Sequence, residues 1–64
     1  MNKRLLALMA KKDELKRQAY AIADKAIAEN RTMTDDEQSN FDNLSSEISK
    51  LDNNIAQLTA LMND

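Results

Sequence analysis

Cysteine, histidine, glycine, proline and tryptophan are all missing from this 64-residue chain, and Tyr20 and Phe41 are its only aromatic residues. Without cysteine there is no disulfide framework, and without cysteine or histidine a structural zinc ion has no customary ligands. Catalysis loses its two most versatile side chains for the same reason. General acid or base work would fall to carboxylates, and those lie at positions expected to face solvent or to cap a helix, with no pocket to shift a pKa. We therefore expect a non-enzymatic protein with no cofactor and no metal. The chain also has no run approaching the roughly 18 consecutive apolar residues of a membrane-spanning helix. The opening MNKRLLALMAKK is basic, but its apolar run LLALMA is shorter than the core of a secretion signal and is followed at once by lysines. A cytosolic location is expected, with no membrane partner.

What remains is helical material. Hydrophobic residues make up 42% and charged residues 31%, the balance of amphipathic helices rather than of a β-sandwich or a disordered tail. A chain this short builds only a marginal core, and since disulfide and metal staples are unavailable, oligomerisation is the remaining remedy. Charge is unevenly divided. Residues 1–31 carry eight Lys/Arg against four Asp/Glu, whereas residues 32–64 carry one Lys against seven Asp/Glu. Halves of opposite sign favour pairing with one another, within or between chains, over binding a polyanion through the whole surface.

From residue 2 to residue 29 strong helix formers dominate, and the only β-branched residues are Ile22 and Ile27. At 3.6 residues per turn, Leu5, Leu8, Leu15, Ala19, Ile22 and Ala26 share one face, with Tyr20, Ala23 and Ile27 expected to widen it. Lys12 falls inside the stripe, where its methylenes can lie along apolar surface while the ammonium reaches water. The second half has a stricter period. Phe41, Leu44, Ile48, Leu51, Ile55, Leu58 and Met62 alternate at spacings of three and four, a heptad pattern with few complementary charges at the flanking positions. That seam is expected to face the first helix, another copy of the chain, or both.

Between the two patterns lies ENRTMTDDE. Asn30 tolerates the left-handed backbone that ends many helices, and Lys25 and Arg31 place cations near the negative helix end. Thr34 and Glu37 have capping-box spacing, and Asp35, Asp36 and Glu37 suit the positive end of a new helix. The expected fold is all-α: helix 2–29, turn 30–34 and helix 35–62, folded as an antiparallel coiled-coil hairpin, a rod about 42 Å long, and oligomeric. In that arrangement Lys11, Lys12, Lys16 and Arg17 come level with Glu47 and Asp52. The acids of TDDEQSNFD lack the glycine and spacing of a calcium loop. The basic residues scatter around the first helix with no aromatics interleaved for stacking, so no nucleic-acid partner is expected.

The stretch KKDELKRQAYAIADKAIAEN, the turn NRTMTDDE and the heptad run FDNLSSEISKLDNNIAQL together resemble the N-terminal scaffolding segment, or delta domain, of bacteriophage major capsid proteins with the HK97-type shell fold. The resemblance covers roughly residues 4 to 62, and its most specific part is Asn30, Arg31, Met33, Thr34, Asp36 and Glu37 followed in phase by Phe41, Asp42 and Leu44 and then by Glu47, Ile48 and Leu51. It implies a module that self-associates beneath the capsomers, guides shell subunits into a procapsid in the host bacterial cytoplasm, and is removed by a phage maturation protease. The sequence departs from that pattern in that no shell domain follows Asp64. A free-standing small phage or bacterial regulatory protein, binding a capsid or host protein through one hairpin face, is the alternative. The self-association seam is expected to comprise Leu8, Leu15, Ala19, Ile22, Phe41, Leu44, Ile48, Leu51, Ile55 and Leu58, with Asn30, Arg31, Thr34 and Glu37 forming the turn and helix cap.

Overall fold

The computed structural model describes residues 2–63 and is all-helical, with no strand among those residues. Helix α1 spans Lys3–Ala28 and helix α2 spans Asp35–Met62, and the two pack against each other as a hairpin measuring 49 × 17 × 12 Å. Helix α1 is a residue shorter at each end than the sequence pattern suggests. Its start is displaced because Asn2 is itself the N-cap: the Asn2 side chain accepts hydrogen bonds from the backbone N–H of Arg4 at 2.7 Å and of Leu5 at 3.3 Å. Its end is displaced because Glu29 already leaves helical geometry as the C-cap.

The chain reverses without glycine through a closing turn built on Asn30, the one non-glycine residue with positive φ (53°) among the described residues. The Asn30 N–H donates to the Ile27 carbonyl at 3.0 Å, and the Arg31 N–H donates to the Ala26 carbonyl at 3.0 Å. This pair of bonds is the Schellman arrangement, which satisfies carbonyls that the last helical turn would leave unpaired. Asparagine adopts this backbone at less cost than a β-branched or bulky residue.

Three residues are buried among those described: Leu15, Ala19 and Ala26, all on α1. Two of the three are alanines, and small side chains let the facing helix approach closely in the half of the hairpin next to the loop. Around them Leu5, Leu8, Lys12 and Ile22 are half-buried, so the α1 seam runs 5, 8, 12, 15, 19, 22, 26 in alternating steps of three and four. Tyr20 and Ile27 do not widen that face. They are 59% and 73% exposed, because they lie about a quarter turn or more beyond the seam and a single facing helix covers only a narrow stripe.

Candidate assembly surface

On α2 the heptad residues Phe41, Leu44, Ile48, Leu51, Ile55 and Leu58 all turn toward α1, yet each is only half-buried, and Met62 at the end of the helix is exposed. No residue of α2 is buried among those described. The seam residues named from sequence are thus brought together, with Leu8, Leu15, Ala19 and Ile22 on one side and the α2 row on the other, and their outer flanks open onto grooves along the two edges of the hairpin. One groove, of about 570 Å³, is lined by Leu15, Ile22 and Leu44 between polar shoulders of Gln18, Asn40, Asn43 and Glu47. The other, of about 310 Å³, is lined by Ala19, Tyr20, Phe41 and Ile48 with Lys12, Lys16 and Asp52.

Electrostatics across the seam are concentrated at one pair. The Lys12 ammonium lies 2.5 Å from the Asp52 carboxylate, with the two side chains 30% and 50% exposed, and it is the one salt bridge joining α1 to α2 among the described residues. The rest of the basic patch does not join it. Arg17 turns back to Glu14 on its own helix at 2.6 Å and holds that carboxyl below its usual range by hydrogen bonding, helped by Gln18. Lys11 and Glu47 line a shared groove with Lys50, without a salt bridge between them. Exposed pairs of this kind contribute about 0.2–1 kcal/mol each, enough to favour one register but not to hold the hairpin together.

The loop is held by a tighter constellation. Thr34 is the N-cap of α2: its hydroxyl accepts from the Glu37 N–H at 3.1 Å, and the Glu37 carboxylate accepts from the Thr34 N–H at 2.9 Å. The same carboxylate receives a bidentate pair from the Arg31 guanidinium, at 2.7 and 3.1 Å. Arg31 also donates to the Glu29 carboxylate at 2.9 Å and to the Thr32 carbonyl at 2.9 Å. One guanidinium therefore ties the end of α1, the loop and the start of α2 together. The charge-assisted bonds from Arg31, followed by the Thr34 backbone, pull the Glu37 carboxyl down to about 2, and the bonds to Glu37 and then to Glu29 push the Arg31 guanidinium further up.

Sequence reasoning had assigned Arg31 to the dipole of α1 and Glu37 to the capping box, and it missed that they meet. The signal was present. A cation within the turn and an acid six residues on, in the first turn of the next helix, come within reach once the turn closes. It also missed the Asn2 cap, although asparagine just ahead of KRLL is an N-cap residue in the expected place. Among the described residues no helix is long and apolar enough to cross a membrane, and no group of three or more Asp or Glu side chains converges. Comparisons of the chain with protein-family models, with curated proteins and with solved structures return no match.

Proposed function

We propose that this chain is a non-enzymatic assembly module, a helical hairpin that self-associates and, like the scaffolding segment of phage capsid proteins that its sequence resembles, guides shell subunits into a procapsid. The observation that carries the reading is the open seam: α2 presents an unbroken apolar heptad row that α1 leaves without one buried residue among those described. A hairpin with that much uncovered apolar surface is suited to further helices. Its partners are other copies of itself and shell subunits, and its place of action is the host bacterial cytoplasm, inside the procapsid, where a maturation protease would remove it.

The turn residues on which the resemblance chiefly rests each have a physical task in this reading. Asn30 reverses the chain, Arg31 and Glu37 clasp it, and Thr34 starts α2. Together they deliver two helices in a fixed register, which is what repeated, individually weak contacts around a closed shell require. The test begins with the coding sequence beyond Asp64. An in-frame continuation into a β-rich shell domain, whose closed assembly fails when residues 2–63 are deleted, is the expected result. A stop codon there, together with no effect of the co-expressed chain on assembly of phage shell subunits, would overturn the proposal.

A further inference from the structure

We propose that the edge of the hairpin carrying Leu6, Met9, Tyr20 and Ile27 is the self-association face. A second copy of this chain occupies it, with its α1 beside the first copy's α2 and both loops at the same end of a four-helix bundle. The inference rests on the self-association proposed above and adds the face, the partner and the orientation.

Leu6, Tyr20 and Ile27 are separated by multiples of seven, and Met9 stands three residues beyond Leu6, so all four project from one edge of α1. Asp13 is the polar position of that row. All four apolar side chains are exposed. Tyr20 fixes which edge this is, because it borders the groove that also shows Phe41 and Ile48. The opposite groove is shouldered by Gln18, Asn40 and Asn43, whose amides are well served by water.

The area matches a dimer. A folded 7.2 kDa monomer is expected to expose about 4,100 Å², whereas this chain exposes 4927 Å². The excess, about 800 Å², is what one partner contributes to a standard protein interface. A second copy covering this edge would bring the chain to the surface expected of a compact protein.

Charge selects the orientation. Two identical hairpins can stack the same face by two-fold symmetry with α1 over α1, or with α1 over α2. Helix α1 carries seven Lys/Arg against three Asp/Glu, and α2 carries one Lys against six Asp/Glu. Only the second stacking places unlike charges together. Its axis runs parallel to the helices, so the levels set by the Lys12–Asp52 pair are kept between copies. Met9 of the second copy then comes level with Ile55, its Lys12 with Asp52, and its Tyr20 with Leu44, next to the small Ser45.

Sedimentation equilibrium of the intact chain is expected to show a mass rising with concentration from 7.2 kDa to twice that value. The double variant Tyr20→Gln, Ile27→Gln is expected to weaken the dimer at least about thirtyfold, since it removes two anchors from the interface. Its helicity at high dilution should be unchanged, because both side chains are exposed and glutamine is at least as good a helix former. Ala21→Gln with Asn43→Gln, on the other groove, should leave the dimer intact. A nitroxide on Thr32→Cys, the single cysteine of that variant, should report an intermolecular distance well below the 49 Å length of the hairpin. An unchanged dissociation constant in the first variant overturns the face while leaving self-association standing. A loop-to-loop distance of 49 Å or more overturns the orientation, and a mass above the dimer overturns the single partner copy. A chain that stays monomeric at every concentration overturns the face and the self-association together.

Discussion

Truncating Leu15 to alanine is the most direct trial of the claim that one narrow stripe holds the hairpin. Leu15 is 5% exposed, the only large side chain among the buried residues described. The substitution removes three carbons, which at about 0.8 kcal/mol per buried methylene amounts to roughly 2.4 kcal/mol. Leucine-to-alanine changes in closed cores cost more, about 2.7–5 kcal/mol, because a cavity remains. Here the site opens onto the groove lined by Ile22 and Leu44, where neighbouring side chains can settle and water can enter, so the cavity contribution is small. The expected loss is therefore about 2–3 kcal/mol. Total stability of a chain this size is about 3–10 kcal/mol, and an unfolding entropy of about 0.13 kcal/mol/K turns the loss into a fall in Tm of about 15–23 °C. Urea unfolding followed by far-UV circular dichroism, at one fixed low concentration, measures it, with Leu61→Ala as the control. Leu61 is 69% exposed, and its removal should change stability by no more than about 0.5 kcal/mol. If the two variants lose the same amount, or if Leu15→Ala loses less than about 1 kcal/mol, the seam does not carry the fold.

Thr34→Ala removes the hydroxyl that accepts from the Glu37 N–H and should cost about 0.5–2 kcal/mol, read from the same urea curves; an unchanged midpoint would mean that α2 starts without this cap. The Glu37 carboxyl, held at about 2 against an ordinary 4.5, binds its proton less readily in the folded chain than in the unfolded one. Its stabilising contribution is therefore complete above about pH 4.5 and is lost as pH falls toward 2. The difference in Tm between the native chain and Glu37→Gln should accordingly shrink across that window, and a difference independent of pH would refute the clasp. Lys12→Leu exchanges a half-buried cation in the seam for an apolar side chain. Loss of the Asp52 pair costs about 0.2–1 kcal/mol while burial of the new side chain gains about 1.5 kcal/mol or more, so the midpoint should rise; a fall would show that the ion pair contributes more than its exposure allows.

Legibility of the sequence varied with the range of the forces involved. The two helices and the Thr34 cap follow from propensity, heptad spacing and the Thr34 to Glu37 interval, all of which act within a few residues. The limits of the stripe were harder to read. Tyr20 and Ile27 belong to an apolar region on a helical wheel, but whether a residue a quarter turn from the seam is covered depends on how many helices surround it, and one facing helix is too few. The same dependence on tertiary neighbours hid the Arg31 clasp. Glu37 already had a local task as the capping-box acid, and its convergence with Glu29 on one guanidinium emerges only when Asn30 turns the chain back on itself. Likewise the basic patch read as a block divides in three dimensions: Lys12 crosses to Asp52 and Arg17 stays with Glu14.

That division bears on how a hairpin with so narrow a core keeps one geometry. An apolar heptad seam is tolerant of sliding, because shifting one helix by seven residues again sets apolar side chains opposite apolar side chains. Lys12 breaks the equivalence. It occupies a seam position, and only in the observed register does its ammonium meet Asp52; a shift by a heptad would bring it toward Ser45 or Thr59 and leave both charges unpaired. The loop restricts sliding from the other end, since the Arg31 clasp fixes how far beyond α1 the second helix begins. Neither device contributes much stability, and Lys12 lowers the apolar content of the seam. Their effect is on specificity: with register fixed at both the loop and the middle of the rod, the outer row from Leu6 to Ile27 is presented at fixed heights, as the proposed pairing with a second copy requires.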